Sequence, residues 1–135
     1  MQKKLNQNLG IPMQVMLSKL YIIDILEGPS ESAPTDSCHF EPEEINHVKA
    51  GDWVKFENKT GKPIQIKFGE KPDFFNARYL QLWAPPGNSQ TLVVQEGDKD
   101  TIRCYLDCSY DPTKKQFDLL GEHIDTDPVV IINRD

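Results

Sequence analysis

The residues able to do chemistry in this chain are few. There are three cysteines (Cys38, Cys104, Cys108) and three histidines (His39, His47, His123). Thiolates and imidazoles bind soft and borderline metals, so each grouping is first a metal question. Cys104 and Cys108 stand four apart in TIRCYLDC. If both lie in one extended strand, their Cα atoms are ~13 Å apart, too far for a disulfide, which needs less than ~7 Å. They share a metal only if the chain folds back between them. Otherwise they pack as small hydrophobic side chains, as free cysteines commonly do. Cys38 and His39 are adjacent, so in a strand they point to opposite faces. His47 follows Glu43 and Glu44 on an outer edge and reads as solvated. His123 sits in EHIDTD, a hydrophilic loop whose carboxylates would make a weak hard-metal site only if they converged. No Gly-x-Ser-x-Gly elbow, phosphate-binding glycine loop or HExxH helix is present, and no spacing ties a thiol to a base. The expectation is that the protein is not an enzyme. An odd number of cysteines makes no disulfide framework, and the simpler expectation is a reducing compartment.

The elements that must position these residues are strands. In CHFEPEEINHVKAGDWVKFENKTGKPIQIKF (38–68), Phe40, Ile45 and Val48 precede a turn at Ala50-Gly51-Asp52. Val54 and Phe56 alternate up to a second turn at Lys59-Thr60-Gly61, and Ile64, Ile66 and Phe68 then recur at every second position. Such period-2 spacing between Gly, Asp and Asn turns marks half-buried antiparallel strands. Leu20 to Leu26 reads as another strand from its β-branched and aromatic residues. Residues 28–37, rich in Pro and Ser, read as a loop. Residues 77–83 fit a strand or a short helix. Strands follow at 89–95, 101–108 and 128–133, and 109–127 reads as a long loop with one helical turn at 115–120. Seven or eight strands at this spacing make a two-sheet Greek-key sandwich. Residues 1–19 read as an N-terminal extension and 20–135 as the domain; Ile11, Met13, Val15, Met16 and Leu17 give the extension an apolar character.

The pattern F-x-P-x-x-I-x-x-V-x-x-G-D-x-V-x-F-x-N-x-x-G-x-P, from Phe40 to Pro63, resembles the cupredoxin family of plastocyanins, azurins and cytochrome oxidase subunit II. The resemblance extends over about residues 20–133 and implies an all-β, two-sheet Greek-key sandwich of the cupredoxin type. In that family a copper-binding histidine follows the proline; here the position is Ile64. The loop after the family's copper cysteine supplies a second histidine and usually a methionine, whereas CSYDPTKKQF from Cys108 contains neither. Cys104 and Cys108 match the thiolate spacing of the binuclear purple site, but its histidine and methionine positions are Pro112 and Lys115. The resemblance thus carries the fold and loses the copper ligands. No cofactor is expected; the alternative is copper held by Cys104 and Cys108, with His123 the only later imidazole.

Composition bounds the partners. A charge of −6 argues against nucleic acid, which requires a basic face. No apolar run reaches the roughly 18 residues of a membrane span, and no secretory signal is visible at the N-terminus. A sandwich whose ligand position holds isoleucine reads as a domain kept for its surfaces: a non-catalytic, metal-free interaction or structural subunit. By fold analogy it would sit within a larger protein assembly, such as an electron-transport complex. Aromatics are enriched in binding hot spots, so Trp53, Phe74, Phe75 and Trp83 are the candidate partner contacts. The competing expectation is a copper carrier or electron-transfer protein using Cys104 and Cys108.

Overall fold

The computed structural model describes residues 18–109 and 127–135. These form nine strands: β1 (Leu20–Glu27), β2 (Cys38–Glu41), β3 (Glu44–Val48), β4 (Trp53–Asn58), β5 (Ile64–Phe68), β6 (Tyr79–Leu82), β7 (Ser89–Val93), β8 (Asp100–Asp107) and β9 (Val129–Arg134). The first sheet runs β2-β1-β4-β7 and the second β3-β9-β8-β5-β6. Residues 79–82, which fit strand or helix equally in sequence, form a strand because they pair with β5, Leu80 opposite Ile66 and Leu82 opposite Ile64. The expected helical turn at 115–120, His123 and the apolar residues of 1–17 lie outside the described residues.

Alternation sorts most strands into an inner and an outer face, while β5 is buried at every position. Ile23 and Ile25 of β1 and Val54 and Phe56 of β4 meet Ile66, Ile102, Leu106 and Ile132 from the second sheet, all essentially inaccessible. Each such side chain contributes roughly 1.5–3 kcal/mol by leaving water. Asp52 explains why the turn before β4 is fixed. Its carboxylate accepts from the backbone N–H of Lys19 (3.0 Å) and of Lys49 (2.9 Å), tying the start of β1 to the turn. Gly51 supplies the left-handed residue there (φ +94°).

Arg134, at the end of β9, fixes the turn between β7 and β8. Its guanidinium donates to both carboxylate oxygens of Asp100 (Nε 3.0 Å, Nη2 2.9 Å) and to the carbonyls of Gln95 (2.6 Å) and Asp98 (3.0 Å). It also lies 4.4 Å from the centre of the Phe74 ring. A Cβ on Gly97 would come within 2.5–2.9 Å of this group, so the turn needs glycine for space.

Candidate functional site

Ile64, where the resemblance expects a copper-binding histidine, opens β5, whose partner in the second sheet is β8. Gln65 pairs with Asp107, Ile66 with Leu106 and Phe68 with Cys104. Ile64 adjoins Gln65 and Cys108 adjoins Asp107, so both lie at the same end of this ladder. The turn leading into β5 is held by Asn58, which is fully buried. Its amide donates to the carbonyls of Lys62 (2.7 Å) and Trp83 (3.2 Å), and its side-chain oxygen accepts from Thr60 N–H (3.0 Å) and Thr60 Oγ1 (2.7 Å). One buried side chain thus closes the 58–62 turn and fastens the loop after β6 to the same end of the sandwich. Every polar atom of that amide is satisfied, as burial demands.

Cys108 is not available there as a thiolate. It forms a disulfide with Cys38 across 70 residues of sequence, with Cα atoms 6.2 Å apart. Cys38 opens β2, at the edge of the first sheet, and Cys108 immediately follows β8 of the second, so the bond staples the two sheets together. This corrects the expectation of a thiol-only chain, and with it the basis for expecting a reducing compartment. Three cysteines make one bridge and leave one thiol. The cause is tertiary: Cys38 is the inward residue of the Cys38-His39 pair and lies over the end of β8.

Cys104 and Cys108 are therefore not a joint ligand pair. Cys104 is fully buried between Phe68 and Val130 in the sheet register. Burial pushes its thiol well above the ordinary range, since a thiolate there would lose its hydration. The groove beside Cys108, of about 260 Å³, is lined by Thr35, Asp36, Ser37, Asp107, Ser109 and Asp127 among others. It offers hydroxyls and carboxylates and no imidazole. Among the described residues no group of three or more His, Cys, Asp or Glu side chains is arranged to hold a metal ion. A blue-copper site needs two imidazoles and a thiolate; an alkyl group at Ile64 and a disulfide at Cys108 supply neither. These residues do not fit copper.

The two described histidines are elsewhere. His39 is half-buried on β2, with Nδ1 2.8 Å from the Gly28 carbonyl. His47 is exposed, with Nδ1 3.1 Å from an Asp135 carboxylate oxygen.

Of the four aromatics named as partner contacts, two stand on the surface. Trp53 is 45% exposed and Trp83 47%. Phe74 and Phe75 are buried, which corrects their assignment as contacts. A 3-10 turn at Pro72–Phe74 folds both rings inward. Phe75 packs on Phe68 (centroids 5.3 Å apart), and Phe74 on Phe75 (5.0 Å) and beneath Arg134. Sequence reasoning passed over Leu20 and Ile22, which are about half exposed; Leu20 lies opposite Trp53 in the β1–β4 register. Their alternation with Tyr21 and Ile23 was the available signal, masked by the continuous apolar run.

Among solved structures, the multicopper oxidase mgLAC matches 87% of the chain at 16% identity with a TM-score of 0.51. A multicopper oxidase from Pseudomonas thermotolerans matches 88% at 14% identity with a TM-score of 0.50. The match spans 39% of the first of these chains and 30% of the second. A purple cupredoxin from Nitrosopumilus maritimus aligns over 83% of this chain and 98% of its own, at 15% identity and a TM-score of 0.42. The fold is cupredoxin-like. Identities this low speak for architecture alone. No protein-family model matches the chain, and no curated protein does. Among the described residues, no helix is long and apolar enough to cross a membrane.

Proposed function

We propose that this chain is a copper-free cupredoxin-like domain that works by contact with other protein surfaces and performs no catalysis. The observation that carries this reading is the Cys38–Cys108 disulfide at the end of the β5–β8 ladder where Ile64 opens β5. At the position where the fold family keeps a thiolate and an imidazole, one partner is consumed in a covalent bond and the other is hydrocarbon. What the domain offers instead is surface: Trp53 with Leu20 and Ile22 on the outer face of the first sheet, and Trp83 at the end of the sandwich. Solvent-exposed indole is characteristic of contact sites. A place within a larger assembly follows from the same reading.

The test is an anaerobic copper titration of the protein, oxidised and then reduced, with elemental analysis after desalting. The expected result is no retained copper in either state. Stoichiometric copper with intense thiolate-to-copper absorption would overturn the reading in favour of electron transfer. Retained colourless Cu(I) after reduction would overturn it in favour of a carrier.

A further inference from the structure

From Tyr79 to Gln95 the sequence YLQLWAPPGNSQTLVVQ contains no Asp, Glu, Lys or Arg, in a chain that is 27% charged. The fold gathers this stretch into one side of the sandwich. It comprises β6, the edge of the second sheet, the loop carrying exposed Trp83, and β7, the edge of the first. The other two edge strands, β2 and β3, each carry a glutamate (Glu41, Glu44). Edge strands expose unpaired backbone donors and acceptors, and natural sequences blunt them with charge, proline or a bulge. β7 (SQTLV) has neither charge nor proline and pairs with β4 without a break in register. Its Ser89, Gln90 and Thr91 are exposed.

Among the described residues, the ladder fixes which groups point outward. Val94 N–H donates to Asp52 O (2.9 Å) and Val94 O accepts from Gly51 N–H (2.9 Å), while Asn88 O accepts from Asn58 N–H (2.7 Å). Even-numbered residues therefore bond inward to β4. By the alternation of an antiparallel pair, Ser89, Thr91 and Val93 direct their N–H and C=O groups away from the sheet. Of these, Val93 O accepts from the Gln95 side chain (3.1 Å).

We propose that β7 is a self-association edge, its occupant β7 of a second copy of this chain in antiparallel pairing about a two-fold axis at Thr91. In that register Thr91 faces its symmetry mate, a favourable cross-strand pair, and Ser89 faces Val93. The first sheet becomes eight strands wide. The choice of a second copy rests on charge. Two chains of −6 each repel over most of their surfaces, whereas residues 79–95 bring no charge of their own to the contact. The flanking charges on β4, Lys55 opposite Thr91 and Glu57 opposite Ser89, form an ion pair with each other. The inference deepens the reading of the chain as an interaction domain and names one of its partners. A five-residue edge is small beside a standard interface of about 1,600 Å², so the association is weak, in the micromolar range or above.

Sedimentation equilibrium of the full chain from micromolar to millimolar concentration tests this. The wild type is expected to rise to twice the chain mass. Thr91→Pro removes an outward N–H that β4 does not use, and Thr91→Lys sets two ammonium groups across the axis. Each is expected to weaken association about tenfold or more, the lysine variant recovering at high salt. Circular dichroism on both verifies the fold, and either variant alone suffices for the comparison. A wild type that stays monomeric throughout overturns the proposal, including one whose β7 captures an extended peptide from another protein. So does a dimer that persists unchanged in both folded variants. Such failures leave the copper-free reading standing, because that reading falls only to the copper titration.

Discussion

Gln65 and Asp107 pair at the last step of the β5–β8 ladder; Ile64 adjoins the first and Cys108 the second, and Cys38 holds Cys108 from the opposite sheet. On the proposed copper-free reading, two separate features keep metal from this end of the sandwich: the alkyl side chain of Ile64 and the disulfide at Cys108. Ile64→His alone is expected to yield no thiolate-to-copper absorption, because Cys108 still lacks a thiolate. Ile64→His combined with Cys38→Ser frees the Cys108 thiol and adds one imidazole, and is expected to retain Cu(I), added anaerobically, that the single variant does not hold. A band in the single variant under oxidising conditions would show that the disulfide does not block the position.

The bridge closes a loop of 70 residues. In the chain-entropy model such a bridge stabilises the fold by about 4 kcal/mol. Cys38→Ser with Cys108→Ser is expected to lower unfolding free energy by roughly 2–4 kcal/mol, measured by urea titration of both proteins. An unchanged midpoint would mean the bridge constrains little.

Cys104 gives a signature of its own. Its thiol is raised by burial, and a raised acid group favours the folded state only while protonated. Its contribution is full below the unfolded thiol range, near pH 8.5, and is lost as pH climbs through the folded value, at up to ~1.4 kcal/mol per pH unit. Stability above about pH 9 is expected to fall more steeply in the wild type than in Cys104→Ala. In native protein a thiol reagent is expected to label nothing, and in denaturant without reductant one cysteine of the three. Parallel pH curves for wild type and variant would remove the argument.

Arg134 and Asp100 form the most constrained ion pair among the described residues, with guanidinium and carboxylate both largely shielded from water. Removing one partner of such a pair typically costs roughly 3–5 kcal/mol. Arg134→Met is expected to lose stability on that scale, since Asp100 then keeps only Lys71, 3.3 Å away, as a cationic neighbour. Gly97→Ala is expected to be destabilising by displacing the same guanidinium. Thermal melts of the two variants and their double mutant should be strongly non-additive; additive losses would separate the two effects.

Gln65 is nearly inaccessible, and its Nε2 has no hydrogen-bond partner. An unsatisfied buried amide costs about 1–3 kcal/mol. Gln65→Met, similar in length and without the polar head, is expected to raise stability by about 1 kcal/mol. Destabilisation of that variant would show that the amide is satisfied in solution.

The sandwich was legible because strand periodicity and turn chemistry are local. Val54-x-Phe56 and Ile64-x-Ile66-x-Phe68 announce their buried faces without knowledge of any neighbour, whereas the reading of Ile64 as a former ligand position came from the resemblance alone. The Cys38–Cys108 bridge was not legible, because it depends on β2 lying over the end of β8, a relation that no spacing encodes. Phe74 and Phe75 misled for the same reason. In GEKPDFFN they are flanked by charge and turn residues, and only Phe68, Phe56 and Arg134, brought in from distant strands, give them an interior. Residues 77–83 were ambiguous because a four-residue strand is defined by its partner β5 more than by its own pattern.

The second sheet also carries a consequence for how the chain is made. β9 lies between β3 and β8, pairing Glu44 with Ile131 and Cys104 with Val130. β3 leaves the ribosome long before β9, and its inward residues Ile45 and Val48 have no strand neighbour until then. At roughly 5–20 residues per second, that wait lasts several seconds. The sandwich closes in a single late event, and such long-range pairing is intrinsically slow. In the last part of that interval, once β8 is made, β3 and β8 both present open edges, so the step at which this protein is most exposed to misassembly is the arrival of β9.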